Sequence, residues 1–565
     1  MNRKTRCALN CIMLAVLAVF AFYVNRGIVI KGLYMDDLYM WSCYGEQSFT
    51  EFVFPIGTSA RFRPVYWLAT WLQMAIIGNH VHLFAAFNIV CNLLLAWSVY
   101  YIVTRMTDSI FLSFAVSAAF LASRFAYYQI GQALGLMETL AQFFALWMLY
   151  ELWRFMRAEL CFLPEEEKEK AGQESARPLY RLPQLQLSSS PEGSYLLALL
   201  FYLLLVFTHE RYIVLVPLFY LVLIVRLLRR NRAYRKADVR SFRRLWIWPA
   251  ALLVFVIAVR RLATGRTVPA GTGGTLVTET FQLRQCLRFA LSQLLYLAGV
   301  NDGPEHLCGL PWEATPANIK SLVKVSVLCL VLIITGFLAL LLKECRSRRQ
   351  GGGAAERLYM HLADCLLFGG FIGACIACSS VTIRVEMRWI YVSYTAMLIF
   401  AAYMTDQAGR GLLRGQAQAL QADPDREPPA GRAGGVFRGF LYGLFGLYCA
   451  LSIAVSIFYR GYFDRLYFWP NQLRMNSLAE QTVEAHGTEY VLDSDVYILE
   501  NTYDMSRFYA DTFFKTFDPQ RTAENNRVIF AENIEEVRQQ ADPSRHCIVL
   551  REVPENNAYE EVPLF

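Results

Sequence analysis

Apolar residues in this chain come in blocks of about 15–22, and a helix of that length crosses the hydrocarbon core of a bilayer. With 565 residues at 55% hydrophobic content, the repetition excludes an ordinary soluble protein. The blocks are Ala8–Tyr23, His82–Val103, Ile110–Ala122, Gln132–Phe155, Tyr195–Phe207, Ile213–Leu228, Trp246–Val259, Leu322–Leu342, Leu362–Cys378, Trp389–Tyr403 and Phe440–Phe458. Inside a bilayer only helices and closed barrels satisfy their own backbone groups. The pattern therefore predicts an all-α polytopic membrane protein of about eleven transmembrane helices. Several blocks are short, notably those ending near Ala122, Phe207 and Val259. Short spans are tolerated where protein or a water-filled cavity, rather than lipid, surrounds the backbone.

Loop charge sets the expected orientation. The first block follows the basic start MNRKTRC, and no small-residue cleavage site follows it, so it reads as a retained signal anchor with a cytoplasmic amino end. The inside loops are then Arg154–Ser194, Arg226–Leu245, Lys343–Arg357 and Asp406–Arg438. The second reads RLLRRNRAYRKADVRSFRR and the third contains KECRSRR, as the positive-inside rule requires. The net charge of +7 is thereby accounted for and gives no reason to expect nucleic acid. The outer segments are 24–81, the turn His209–Arg211, 260–321, Ser379–Arg388, and everything after Tyr459. PEEEKEKAGQESARP and QADPDREPPAGRAGG have the composition of flexible linkers. Residues 1–459 are thus a membrane domain and 460–565 an extracytoplasmic one. In the latter, EYVLDSDVYIL, NRVIFA and HCIVLREV read as strands and ENIEEVRQQ as a helix, which suits a small α/β appendage.

Chemistry concentrates between Leu33 and Asn92. Asp36 and Asp37 sit just past the first span in LYMDDLYMWSCY, among aromatic and apolar residues. An acidic pair there is either a solvated loop or a catalytic carboxylate at the mouth of a membrane cavity. Arg61, Arg63, His80, His82, His209, Glu210, Arg211, Arg384, Glu386 and Arg388 also fall on the outer side, from separate stretches of chain. Each has a bland alternative. THERY at 208–212 reads as a polar turn, RVEMRW at 384–389 as an interfacial snorkelling cluster, and the histidines as a helix start. Convergence on one face strengthens the joint case. A cation site built from Asp36, Asp37, His209 and Glu210 is the weaker expectation, since adjacent charges alone do not make one. No cofactor and no metal is expected. Most of the 14 cysteines lie in apolar segments as small hydrophobes. Cys375 and Cys378 form an isolated CxxC, and Cys286 with Cys308 could pair in an oxidising compartment.

The acidic pair after the first span, the long first outer loop and RFRPVYWLATWLQMAIIGNHVHLFAAFNIVCNLLLAW resemble the GT-C superfamily of membrane glycosyltransferases. The second stretch is close in style to a run in the TMTC-type protein O-mannosyltransferases. The pair itself is shared with bacterial aminoarabinose transferases and dolichyl-phosphate-mannose protein mannosyltransferases, several of which have Asp-Glu where this chain has Asp36-Asp37. RWIY at 388–391 resembles the entry of a late helix in those enzymes. The organisation matches over Leu9–Tyr403, and strong local similarity is confined to Tyr34–Trp97. No 34-residue repeat closes the chain, unlike the TMTC-type proteins, which favours a bacterial envelope enzyme in the plasma membrane.

The resemblance implies a GT-C-type bundle moving sugar from a polyprenyl-phosphate donor to a glycan, lipid or protein acceptor at the outer face. Asp36 or Asp37 suits the base that deprotonates the acceptor hydroxyl, with Asp36 favoured because relatives place the first acid there. Arg388, Arg384 and Arg211 suit the departing phosphate, and Arg61, Arg63, His82, His209, Glu210 and Glu386 the surrounding cavity. No nucleotide-binding motif appears, in keeping with a lipid-linked donor. Two rival classes are a lipid-linked glycan flippase, which would show internal repeats, and a polysaccharide polymerase or ligase, whose catalytic loop would come late.

Overall fold

The computed structural model describes residues 3–30, 33, 36–57, 59–78, 80–158, 190–230, 239–271, 276–347, 353–422, 432–463, 468–500, 514, 527–553 and 558–564. The two linkers lie outside the described residues, apart from the ends of the second. All eleven apolar blocks are helical. Helix α1 (Arg3–Asn25) leads into three shorter helices, α2 (Asp36–Glu46), α3 (Phe49–Val53) and α4 (Pro64–Ile77). The bundle continues with α5 (Leu83–Thr107), α6 (Ile110–Leu121), α7 (Arg124–Ile130), α8 (Leu136–Arg157), α9 (Pro191–Thr208), α10 (Val216–Arg230) and α11 (Val239–Thr264). After α12 (Leu283–Ala298) come α13 (Ala317–Ser347), α14 (Ala354–Ser380), α15 (Met387–Ala422) and α16 (Arg432–Arg460).

Among the described residues, eight helical segments are long and apolar enough to cross a membrane, and α6 with α7 makes a ninth if that pair, bent by 51°, is one span. The chain is therefore a multi-pass membrane protein with fewer such spans than the eleven expected. The difference lies in α8 and α15. Both carry charge among their apolar residues, Glu138, Glu151 and Arg154 in one, Arg388, Asp406 and Arg410 in the other. Both are also enclosed by other helices, with Ala141, Ala145, Met148 and Leu152 of α8 and Ile390, Tyr391, Ala396 and Leu398 of α15 fully buried. They face protein more than lipid, so they need less hydrophobicity than a lipid-exposed span. Gln142 of α8 donates to Thr395 of α15 at 2.5 Å, and Tyr391 donates to Asn92 of α5.

Local sequence explains the breaks. Ser109 Oγ accepts from Leu112 N at 3.3 Å and Ser123 Oγ from Ala126 N at 3.1 Å, which starts α6 and α7 as N-caps. Asp108, in the left-handed region at φ 55°, turns the chain between α5 and α6. At the end of the bundle that holds the start of α6, Arg157 of α8 pairs with buried Asp364 of α14, which also accepts from Tyr403 of α15. Asp406, Arg410 and Tyr442 tie α15 to α16 there. The other end carries the start of α8 and α15, the end of α9, and the loops rich in candidate residues.

Past α16, α17 (Phe468–His486) and a short helix, Thr488–Leu492, precede a four-stranded sheet: β1 (Ser494–Leu499), β2 (Arg527–Ala531), β3 (His546–Val553) and β4 (Ala558–Glu561). Helix α18 (Ile534–Gln540) connects β2 to β3. The strand order is β2-β1-β3-β4, with β1 parallel to both neighbours and β4 antiparallel to β3. Val496 of β1 sits opposite Val528 and Ile548, and β1 is buried along its whole length, as a central parallel strand must be. Val496, Ile498, Val528, Ile548 and Leu550 join the apolar core of the bundle, while Tyr497, Leu499, Val549 and Val537 form a separate core under α18. One expectation is corrected: the first half of EYVLDSDVYIL is helical. Gly487, at φ 80°, starts that short helix, and the strand begins only at Ser494.

Candidate functional site

The acidic pair opens α2 rather than lying on irregular or strand-like backbone. Successive helical side chains point about 100° apart, so the two carboxylates still diverge. Asp36 is exposed and near enough to Arg61 and Arg388 to feel their charge. Asp37 is half-buried and accepts from the backbone N–H of Leu134 at 3.3 Å. Burial, and then the neighbouring charge of Asp36, push the Asp37 carboxyl up to about 7, against the pull of the Leu134 and Ala133 amides.

The turn that receives Asp37 is itself anchored. Asn88 of α5, buried, donates to the carbonyl of Gln132 at 2.6 Å and accepts from Gln73 of α4 at 3.1 Å. Gln73 also donates to the Ala133 carbonyl at 3.1 Å. Residues 131–135, which join α7 to α8, are thus clamped by two amides of the WLQMAIIGNHVHLFAAFN stretch. Gly135 has no room for a side chain, since a Cβ would fall 2.2 Å from the Gln129 carbonyl oxygen. That close approach sets the start of α8 and with it Glu138.

Glu138 was not among the residues expected from sequence, and it is central. Buried three residues into α8, it pairs with Arg211 at 2.5 Å and lies 3.9 Å from His209 Nε2. The signal was a single acid at the head of an otherwise apolar block, GLMETLAQF. His209 and Arg211 stand where α9 gives way to a 3₁₀ turn, Glu210–Leu215. Glu210 points the other way, onto Arg260 of α11 and Arg63, 3.7 Å from the latter's Nε, and accepts from Phe62 N at 3.3 Å.

At the entry to α15, Glu386 is buried and bonds both Arg384, at 2.8 Å, and Arg388, at 2.5 Å. Burial pushes its carboxyl up, but the two guanidinium groups outweigh that and hold it below its ordinary value. Arg61 donates to the Gly271 carbonyl at 3.1 Å, and its guanidinium is pushed down by burial while Asp36 pulls it back. The charges of Arg61, Arg63, Arg211 and Arg388 all reach His209. The cluster is therefore continuous: Asp36, Arg61, Arg63, His209, Arg211, Glu138, Arg384, Glu386 and Arg388 surround one region.

His82 stands apart, exposed at the start of α5 with its ring 5.8 Å from that of His80. Among the described residues, no group of three or more His, Cys, Asp or Glu side chains could hold a metal ion. Asp36, Asp37, His209 and Glu210 do not gather, because Glu210 is taken by arginines and His209 faces Glu138. Cys286 and Cys308 are both buried and form no disulfide with each other, and Cys308 donates to the Tyr462 carbonyl at 3.4 Å. In the CxxC, Cys378 donates to the Cys375 carbonyl at 3.2 Å within α14.

No family model matches the chain, and neither does any curated protein. Among solved structures, the chain is similar to ArnT from Cupriavidus metallidurans bound to undecaprenyl phosphate, at 12% identity and a TM-score of 0.45, over 96% of this chain and 92% of that one. It is also similar to the archaeal oligosaccharyltransferase AglB from Archaeoglobus fulgidus in complex with an inhibitory peptide and a dolichol-phosphate, at 10% identity and a TM-score of 0.45, over 96% and 69% of the two chains. At these identities and scores the likeness says nothing about chemistry.

Proposed function

We propose that this chain is a membrane glycosyltransferase that moves a sugar from a polyprenyl-phosphate donor to an acceptor hydroxyl at the outer end of its helical bundle. One observation carries the reading: an exposed carboxylate, Asp36, shares a region with Arg61 and Arg388 while its neighbour Asp37 is tied to a clamped turn. Base and phosphate-binding groups are then present together, on separate elements, at the end of the bundle where a lipid-anchored donor reaches water. Asp36 takes the proton of the acceptor hydroxyl as its oxygen attacks the anomeric carbon. The bond from that carbon to the phosphate oxygen breaks, and the electron pair leaves with polyprenyl phosphate. Arg388 and Arg384, aimed by Glu386, and Arg211, aimed by Glu138, neutralise the leaving phosphate, a task suited to the guanidinium fork. Such groups stabilise the developing charge without reorganising at the moment of reaction.

The reading places the amino terminus in the cytoplasm and residues 460–565 outside, in the plasma membrane of a bacterium, with a glycan, lipid or protein as acceptor. The test is transfer of radiolabelled sugar by the purified protein from a polyprenyl monophosphate donor, compared with a polyprenyl diphosphate oligosaccharide. Use of the monophosphate alone is expected. Use of the diphosphate alone contradicts the donor assignment, and transbilayer movement of intact lipid without sugar release contradicts the reaction.

A further inference from the structure

Helix α12, in the segment between α11 and α13, has two different faces. Cys286, Ser292, Gln293, Tyr296 and Leu297 are buried against the bundle. On the other side, Leu283, Leu287, Leu291 and Leu294 are 64, 63, 58 and 50% exposed. At about 100° per residue these four leucines share an arc of about 80°. Arg284 and Arg288, both exposed, take the adjoining arc of about 60°. Among the described residues neither arginine pairs with a carboxylate. A continuous leucine stripe of this kind marks a contact surface.

The position of α12 in the bundle says what covers the stripe. Gln293 meets the last turn of α14, where its Nε2 donates to Ser380 Oγ at 2.9 Å and its Oε1 accepts from Ser379 Oγ at 2.6 Å. Gly299, just past the helix, lies against Val323 of α13 and Val455 of α16, which a Cβ would approach to 3.4 and 3.7 Å. These valines stand six residues after the start of α13 and five before the end of α16, about 7–9 Å inside the helix ends. All three helices are long and apolar enough to cross a membrane. With 16 residues, α12 is short of the roughly 20 that a crossing takes. Its neighbours in the chain hold it at the site end, α11 through Arg260 on Glu210 and α13 through Val323. A helix with an apolar face and arginines beside it lies in the membrane interface, its apolar side about 5–10 Å deep. That is the depth of Val323 and Val455. A second copy of the chain fits the stripe poorly, because a two-fold contact brings Arg284 and Arg288 towards their own counterparts.

We propose that α12 is seated in the lipid leaflet at the site end of the bundle, its leucine stripe among acyl chains and Arg284 and Arg288 on phospholipid phosphates. The arginine stems lie along the leucines while their guanidinium heads reach the phosphate oxygens. The segment between α11 and α13 is then held by the bilayer, whatever reaction the site performs.

The experiment places the full chain, in a cysteine-free background, in phosphatidylglycerol–phosphatidylcholine nanodiscs. Leu287→Cys, Leu291→Cys and Arg288→Cys each carry an environment-sensitive fluorophore. Lipid spin-labelled on the acyl chain is expected to extinguish most emission at 287 and 291, and aqueous iodide to leave it. Lipid spin-labelled on the headgroup is expected to extinguish emission at 288. Iodide quenching without lipid quenching at 287 and 291 overturns the proposal by putting the stripe in water. Protection of both positions from both quenchers overturns it by putting protein there, and a label at 288 untouched by the headgroup probe overturns the phosphate contact. The unmodified chain supplies a second measurement: a phospholipid with a photoactivatable acyl chain is expected to tag residues 283–294. Tagging of α13 without tagging of α12 overturns the proposal.

Discussion

Two neighbouring aspartates illustrate how local contacts divide labour between identical side chains. Asp36 faces arginines, and Asp37 faces backbone amides of a turn. The Asp37 carboxyl, raised from 3.8 to about 7, binds its proton more tightly in the folded than in the unfolded chain. Its contribution to stability is therefore complete below pH 4 and lost as pH rises towards 7. Melting temperatures of wild type and Asp37→Asn, compared between pH 4 and 8, are expected to show wild type losing stability relative to the variant over that interval. A parallel pair of curves contradicts a proton-holding Asp37. The arginines make a second residue-scale case. Replacing Arg388 by Lys keeps the charge but removes the fork that spans two oxygens. One charged hydrogen bond lost predicts a fall of about 10- to 100-fold in donor kcat/KM. Glu386→Gln should produce a smaller fall by letting both arginines drift. Wild-type kinetics in Arg388→Lys would make the arginine a structural anchor.

At the scale of elements, the turn between α7 and α8 is where the fold meets the chemistry. Asn88 and Gln73 hold its carbonyls, and the turn in turn holds Asp37 and sets the start of α8. Asn88→Ala strands those carbonyls, at a cost of about 1–3 kcal/mol for each left without a partner. Lower melting temperature together with weakened transfer is the expected result, and weakened stability with unchanged transfer would detach the turn from the site. The sequence made much of this legible. The helices of the eleven apolar blocks could be read because apolar runs of that length leave few alternatives, although α8 and α15 read as lipid-crossing spans and are enclosed by protein instead. Asn88 was visible only as part of a stretch, since a polar residue's partners are set by packing. Glu138 carries no such mark in the sequence, because one acid inside an apolar block has the look of a tolerated polar residue, and only the fold sets Arg211 beside it. In the helix at Thr488–Leu492, EYVL carries strand-forming residues and so reads as strand, and the positive φ of Gly487 that turns the chain has no signature beyond the glycine itself.

Across the whole molecule, charge is sorted to the two ends of the bundle. One end holds interhelical ion pairs such as Arg157 with Asp364 and Arg229 with Glu356, and the other holds the candidate site and the sheet. The proposed orientation predicts that single cysteines replacing Arg384 and exposed Glu535, in a cysteine-free background, are labelled by an impermeant reagent from outside intact cells. A cysteine replacing exposed Arg346 should be labelled only after permeabilisation. Labelling of positions 384 and 346 from the same side would break the proposed cluster across the membrane. The central claim concerns Asp36, and it is tested most directly by single-turnover transfer from a polyprenyl monophosphate sugar in Asp36→Asn, with donor binding measured alongside. Loss of a general base costs about 10²–10⁴-fold in rate. The account predicts a fall of that size with donor affinity and melting temperature unchanged, a smaller effect in Asp37→Asn, and none in the Glu46→Gln control on the same helix. Full transfer rates in both aspartate variants would contradict it.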